Sequence, residues 1–401
     1  MVQQIRRVLV LGSTGSIGTQ SLDTIERLNG SGYSFVVEGL AAGRNTGLLG
    51  AQIERWNPRA VSVKESDDAE VLSESYPELS VGSGQEGLLA LCAIDGIDIV
   101  VNALVGAIGL VPTLESLARG RTVALANKES LVIGGELVAE ALASHEGNLL
   151  PIDSEHNAVL QCLRAGRLSE VRRLILTASG GPFLRSDVLE LSQVSPAEAL
   201  AHPNWSMGSR ISIDSATMVN KGFEVIEAHF LFDLPYEKID VVIHPKSVVH
   251  SLVEYCDGSI VAEMASADMR IPIQYALIYP DREDTALPRL DVGGLSSLEF
   301  EPVDFGRFPA FTTVIEAARQ GGRSPAVVNA ADEVFVERFL SGEIPFTGIS
   351  RGLEAVLKSW KAQEGSGSEG IQGDEPEGVV KLERLLAADS WARDVARVLP
   401  L

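Results

Sequence analysis

Along the first 150 residues the apolar positions fall into short, near-continuous runs, "RRVLVLG", "YSFVVEGLA", "RAVSV", "IDIVVNAL", "RTVALA" and "GNLLPI", separated by stretches in which apolar residues recur at helical spacing. A strand buried on both faces shows no polar alternation, and the intervening helices supply the two covers, so the pattern predicts a doubly wound parallel sheet. Past residue 170 the texture changes. "VRRLILTAS" and "KIDVVIHPKSVVHSLVEYCDGSIVAEMA" read as strands, the last with a turn signal at Asp257-Gly258, and helices lie between them. This is the pattern of an α+β region. From about Phe311 the periodicity is helical throughout, in "FTTVIEAARQ", "SPAVVNAADEVFVERFL" and "VVKLERLLAADSWARDVARVL". The Gly/Ser/Glu-rich stretch from Glu364 to Gly378 before the last of these has nothing to bury and reads as a solvated linker. The most apolar stretch, "IDIVVNALVGAIGLVPTL", is broken by Asn102 and Pro112 and predicts a buried strand turning into a helix, not a membrane span.

Charge narrows the partners. Lys and Arg number 33 against 55 Asp and Glu, a net −22 over 401 residues, which disfavours nucleic acid and anionic membrane surfaces. A small anionic substrate stays compatible, because a few local cations and backbone N–H groups hold it against the global field. Cys92, Cys162 and Cys256 are far apart, odd in number and form no CxxC, which fits a reducing cytoplasm rather than a disulfide framework. The apolar run after Arg6-Arg7 is too short for a signal segment and enters a glycine loop, so no targeting segment is expected.

Two glycine loops compete for a nucleotide. "GSGQEG" (82–87) matches GxGxxG, but it follows only the brief "LSV" and carries Glu86 where an anion would approach, so it reads as a structural turn. "GSTGSIG" (12–18) follows the first strand and opens a helix, where a pyrophosphate meets first-turn amides and the positive helix end. A tight turn with no ligand is its other reading. An NAD site needs an acid at the end of the second strand. Glu38 lies mid-strand, and the strand's end reads Ala42-Gly43-Arg44-Asn45, with no acid and one guanidinium for a 2′-phosphate. NADPH is therefore the expected cofactor; a solvated loop cation is the competing fate of Arg44.

"DSEHNA" (153–158) sits at the C-terminal end of the strand "NLLPI", the edge at which such sheets bind ligands. If the chain there is extended, Asp153 and Glu155 point the same way and repel unless a cation lies between them; if not, the stretch is a helix start with Glu155 near the positive end. Farther on, His202, Trp205, Met207, Ser215, Asn220, Lys221 and Glu224 crowd one span too polar for a core. A Lys with amide and hydroxyl neighbours and no basic run suits one phosphate, which suggests a sugar phosphate.

These motifs, "GSTGSIG", "AAGRN", "LANKES", "DSEHNA", "TASGGPF", "HPNWSMG", "DSATMVNKGFEVIEA" and "IHPKSVVHS", resemble in order and spacing those of the 1-deoxy-D-xylulose 5-phosphate reductoisomerases, over essentially the whole chain. The resemblance implies an α/β chain with a Rossmann-like NADPH-binding domain (1–152), an α+β catalytic domain (153–285), a connecting segment (286–310) and a C-terminal helical domain (311–401). It implies that 1-deoxy-D-xylulose 5-phosphate is isomerised and reduced to 2-C-methyl-D-erythritol 4-phosphate in non-mevalonate isoprenoid biosynthesis. By the same resemblance, Asp153, Glu155 and Glu224 bind one divalent ion (Mg2+, Mn2+ or Co2+), and Ser179, Ser215, Asn220 and Lys221 hold the phosphate near His202. Ser154 and Lys128 meet the substrate's hydroxyl region, and Trp205 and Met207 close over it. NADPH contacts are implied for Thr14, Gly15, Ser16, Ile17, Gly43, Arg44, Asn45, Asn127, Glu129 and Gly208, in a homodimer. The all-oxygen donor set suits a hard cation that acts as a Lewis acid on adjacent substrate oxygens. Cleavage and rejoining of the carbon skeleton, or migration within it, both remain open. Two rivals share part of the pattern: a plain metal-assisted dehydrogenase, and a non-catalytic NADPH sensor that has no use for the three carboxylates.

Overall fold

The computed structural model describes residues 5–186, 188–201, 205, 208–365 and 377–401. They divide into two compact units that interleave along the chain. The first comprises the described residues through Ser130, Val138–Gln161 and Asp268–Leu290; the second comprises Leu131–Leu137, Cys162–Ala267 and Asp291–Leu401.

The first part of the chain alternates β1 (Ile5–Leu11), α1 (Ser16–Gly30), β2 (Ser34–Ala41), α2 (Thr46–Trp56), β3 (Ala60–Val63), α3 (Ser66–Ser75), β4 (Ser80–Ser83), α4 (Gly84–Cys92), β5 (Ile99–Asn102), α5 (Leu110–Ala118), β6 (Thr122–Leu125), α6 (Glu129–Ser144), β7 (Asn148–Pro151) and α7 (Ser154–Cys162). All seven strands are parallel, in the order β4-β3-β2-β1-β5-β6-β7. The order reverses at β1, so the turn leaving β1 opens at the crevice where such sheets bind ligands. The apolar runs lie where a two-sided sheet needs them: Val8, Val10, Val37, Leu40, Val61, Val101 and Ala124 pack with the helix residues Leu22, Ile25 and Leu28 in one core.

The β1–α1 turn depends on missing side chains. Gly12 has φ +84°, and a Cβ on it would stand 2.3 Å from the Ala103 carbonyl oxygen; a Cβ on Gly18 would stand 2.2 Å from the Gly12 oxygen. "GSGQEG" is also a strand-to-helix junction, running from β4 into α4, and its glycines serve packing: a Cβ on Gly82 would lie 2.8 Å from the Gly87 Cα.

The rest of the chain forms β8 (Val171–Ala178), α8 (Pro196–Ala199), α9 (Ser209–Thr217), α10 (Val219–Phe232), β9 (Ile239–Ile243), β10 (Val249–Tyr255), β11 (Ile260–Met264), α11 (Arg270–Ile278), β12 (Glu301–Pro302), α12 (Pro309–Gln320), α13 (Ser324–Leu340), α14 (Phe346–Gly365) and α15 (Glu377–Val398). The second sheet is mixed, β11-β10-β8-β9-β12, with only β8 and β9 parallel. The β10–β11 hairpin turns at Asp257-Gly258 as expected, with Gly258 at φ +87°. Phe223, Val314, Val327, Phe335, Leu353 and Trp360 share the helical core of this unit. α11 belongs to the first unit, where Ile273, Ala276 and Leu277 join its core. Of the expected linker, residues 366–376 lie outside the described residues. Cys92 and Cys162 are buried free thiols, and burial pushes Cys162 up to about 12.

Gly18→Ala should cost about 1–3 kcal/mol because the atoms in its way are backbone and cannot yield. A lowered urea midpoint at unchanged m value would show this. Gly47→Ala is the control, since a Cβ there meets nothing within 4 Å.

Candidate active site

The glycine loop is tied down at both ends. Gly12 and Ser13 donate their N–H groups to the Ala41 carbonyl (2.9 and 2.8 Å), and Ser13 Oγ donates to Gln52 Oε1 (2.7 Å), joining the loop to α2. Gly15 precedes α1, and no side chain caps that helix, so its first-turn amides at Ser16 and Ile17 lie open to an anion beside Thr14. At the end of β2, Gly43, Arg44 and Asn45 are exposed, and Asn45 Oδ1 caps α2 by accepting from the Leu48 N–H (3.2 Å). Glu38 is buried mid-strand and held by Arg7 and by Arg59, whose Nε is 2.5 Å from its Oε2. The strand's own acid is thus engaged within the sheet, and its end offers a guanidinium alone.

Asn127 and Glu129, at the turn from β6 into α6, are both buried. Asn127 Nδ2 donates to the carbonyls of Leu104 (2.9 Å) and Gly106 (3.0 Å) and to Glu129 Oε2 (2.8 Å), so this pair braces the loop after β5.

"DSEHNA" forms a helix start, as one of its two readings anticipated. Asp153 follows β7, its carbonyl accepts the Asn157 N–H (2.9 Å), and α7 begins at Ser154. Ser154 Oγ donates to Glu155 Oε2 (2.5 Å), and Asn157 Nδ2 anchors the turn to the Pro151 carbonyl (2.9 Å). Lys128 Nζ stands 3.2 Å from Asp153 Oδ2, and the wholly buried His156 places Nδ1 3.5 Å from Asp153 Oδ1. Asp153 therefore sits between a lysine and an imidazole, at the sheet edge.

In the second unit, Ser179 directly follows β8 and its Oγ accepts the Gly181 N–H (3.1 Å). Gly180 and Gly181 turn the chain at φ +80° and +67°, and a Cβ on Gly181 would come within 2.9 Å of the Ala216 Cα and the Ser215 oxygen. This close backbone approach brings the turn carrying Ser179 against the end of α9 that carries Ser215. Met218, at φ 64°, separates α9 from α10, so Asn220 and Lys221 occupy the first turn of a new helix. One turn on, Glu224 is buried and receives hydrogen bonds from both Asn220 Nδ2 and Lys221 Nζ. Gly208 precedes α9 and is exposed. The Trp205 ring lies 6.1 Å from that of His250 on β10, while His202 and Met207 lie outside the described residues. Two buried polar groups near these were not singled out from the sequence: Glu227, three residues beyond Glu224, and His250. Glu227 carried a faint signal as a carboxylate on an otherwise apolar helix stretch; His250, in an apolar strand, carried none.

Three family models match in chain order: 1-deoxy-D-xylulose 5-phosphate reductoisomerase over residues 8–135, its C-terminal domain over 149–232, and the DXP reductoisomerase C-terminal domain over 264–395. Relatives of that name from Chlorobium chlorochromatii and Heliobacterium modesticaldum are 45% and 46% identical, covering 98% of this chain and 99% and 97% of theirs. The chain belongs to the 1-deoxy-D-xylulose 5-phosphate reductoisomerase family. A solved reductoisomerase in complex with NADPH, fosmidomycin and magnesium superposes with TM-score 0.90 at 39% identity, covering 98% of this chain and 97% of its own. The Zymomonas mobilis enzyme in complex with NADPH gives TM-score 0.86 at 40% identity, covering 98% of each chain. The activity is that of the family, NADPH- and magnesium-dependent conversion of 1-deoxy-D-xylulose 5-phosphate to 2-C-methyl-D-erythritol 4-phosphate. Among the described residues no helix is long and apolar enough to cross a membrane.

The Lys221–Glu224 pair makes a stability prediction. Lys221→Met leaves a buried carboxylate without its ammonium and should cost about 3–5 kcal/mol, whereas Lys221→Met combined with Glu224→Gln should recover most of that loss. Chemical denaturation of the two single variants and the double variant checks it.

Proposed function

We propose that Asp153, Glu155 and Glu224 are the ligands of one divalent cation, and that Ser179, Ser215, Asn220 and Lys221, with His202, bind the substrate's phosphate. The observation that carries this reading is the first turn of α10, where Asn220 and Lys221 offer donors to an anion while Glu224, one turn later, offers a carboxylate to a cation. The donors fit their guests. Three carboxylates make an all-oxygen set for Mg2+, Mn2+ or Co2+. The uncapped start of α1, with no room for a Cβ at Gly12 or Gly18, fits a pyrophosphate, and Arg44 with no neighbouring acid fits the 2′-phosphate of NADPH.

In this reading the cation supplies Lewis-acid polarisation of the substrate's oxygens, and NADPH supplies the hydride. The chain's part is placement. Lys128 orients Asp153 and, with Ser154, meets the substrate's hydroxyl region. Lys221 and Asn220 grip the far phosphate, whose binding energy is used to position the reacting end. Trp205 and Met207 cover the substrate and keep water from the aldehyde to be reduced. Thr14, Gly15, Ser16, Ile17, Gly43, Arg44, Asn45 and Gly208 contact the cofactor. Asn127 and Glu129 reach it from the loop that they brace. A homodimer in the cytoplasm is the working form, in keeping with three free cysteines.

Incubation with substrate, Mg2+ and NADPH should yield a branched methyl-erythritol phosphate by NMR; a straight-chain pentitol phosphate would overturn the reading. Glu224→Gln should raise the metal concentration needed for half-maximal rate about tenfold or more, with partial recovery at high Mn2+. Unchanged metal dependence would place the third ligand elsewhere. Arg44→Ala should raise the KM for NADPH and leave NADH use nearly unaltered, since only the 2′-phosphate contact is removed.

A further inference from the structure

Behind Ser215 lies a buried polar cluster that none of these roles uses. Its neighbour in sequence, Asp214, is 3% exposed, and Asp332 on α13 is wholly buried. Arg210, one turn earlier on α9, reaches across to α13: its Nη1 is 2.9 Å from Glu333 Oε1 and its Nη2 2.9 Å from Asn329 Oδ1. The same guanidinium stands 3.5 Å from carboxylate oxygens of both Asp214 and Asp332. Glu333 is shared with Arg393 of α15 (2.7 Å), which also pairs with Asp389 (2.6 Å). Four carboxyl groups thus face two guanidinium groups.

Asp332 is the odd member. Neither of its oxygens receives an N–H or a hydroxyl, and the group it faces is the Asp214 carboxyl. The charged groups acting on it are Asp214 and Arg210 from α9 and its own neighbour Glu333. A dry carboxylate with no donor, against a second carboxylate, is unfavourable by burial and by like charge together. One proton between the two oxygens removes the repulsion and creates a charge-assisted O–H···O bond, the strongest kind such a pair makes. Burial, and after it the Asp214 charge, push Asp332 well above the usual carboxylate range.

We propose that Asp332 is a positioning residue that retains a proton and donates it to the Asp214 carboxylate, and that this shared proton, with Arg210 bridging α9 to α13, fixes Ser215 where it binds the substrate's phosphate. The last step rests on the role given to Ser215 above; the shared proton does not. A folded-state value above the unfolded one means that the stability contribution is complete only below the unfolded value and is lost as pH rises through the folded-state value, where the shared proton leaves. The KM for the phosphorylated substrate therefore climbs on the alkaline side while the KM for NADPH stays level.

Asp332→Asn replaces the protonated acid by a permanent donor of the same shape. It should keep the substrate KM within about twofold at neutral pH and abolish the alkaline climb, whereas Asp332→Ala, which deletes the donor, should raise that KM about tenfold at every pH. Infrared spectra supply a readout independent of turnover: the wild-type protein should show the carbonyl stretch of a protonated carboxylic acid at neutral pH, and Asp332→Asn should lack it. Absence of that band in the wild type overturns the shared proton, even if all variants are active. A band that is present, with an alkaline climb unchanged in Asp332→Asn or a substrate KM unmoved in Asp332→Ala, overturns the positioning role. If Asp332→Ala does not fold, the Asn variant and the spectra still decide. A wild type that binds the cofactor but not the sugar phosphate defeats the functional reading, while the band still judges the proton.

Discussion

A carboxylate removed from water needs a counter-charge, a set of donors, or a proton, and this strongly acidic chain meets that requirement in different ways at different acids. Glu38 takes two guanidinium groups, from Arg7 and Arg59. Asp153 takes the ammonium of Lys128, and Glu224 that of Lys221 with the amide of Asn220. The type of partner separates structure from function. Arginine's planar fork locks Glu38 into the sheet permanently, whereas a lysine is a point charge on a flexible stem and can yield its place to another cation. Two of the three acids proposed as metal ligands, Asp153 and Glu224, are held in this way by lysines.

The second constraint is steric and lies in the backbone. A ligand that is recognised by main-chain N–H groups must approach to hydrogen-bond distance, and the β1–α1 turn permits this because Gly12 and Gly18 pack backbone on backbone. The same device recurs at Gly181, whose contact with Ser215 and Ala216 makes the end of β8 and the end of α9 a single unit of geometry. In both places the glycines fix the positions of neighbouring polar groups and need not touch the ligand themselves.

Most of the architecture was legible along the chain. The runs "RRVLVLG" and "IDIVVNAL" became β1 and β5, the glycine loop falls where the strand order reverses, and the helical texture after Phe311 became α12 to α15. β12 was not visible, because two residues carry no periodicity. The lysine, amide and three carboxylates proposed for the site were named through the resemblance that their motifs carry, while residue type alone left their roles open. "DSEHNA" kept two readings until the helix start was seen, since extended chain and an N-terminal turn place the same residues in one another's reach.

The sequence by itself determined which side chains leave water and which chemical groups are available, because hydrophobic period and residue type are local properties. It also carried family membership, because long motifs in fixed order are written in the chain directly. Tertiary structure alone decided what each buried charge faces. Arg7 and Arg59 converge on Glu38 from two other segments, and Arg210 meets Asp332 across 122 positions of chain. Periodicity says that a residue is buried and is silent on its neighbour, since the neighbour is set by how elements pack. The same holds for the units themselves: Leu131–Leu137 and Asp268–Leu290 each join a unit whose other members lie far away in sequence, a grouping that only long-range contacts define.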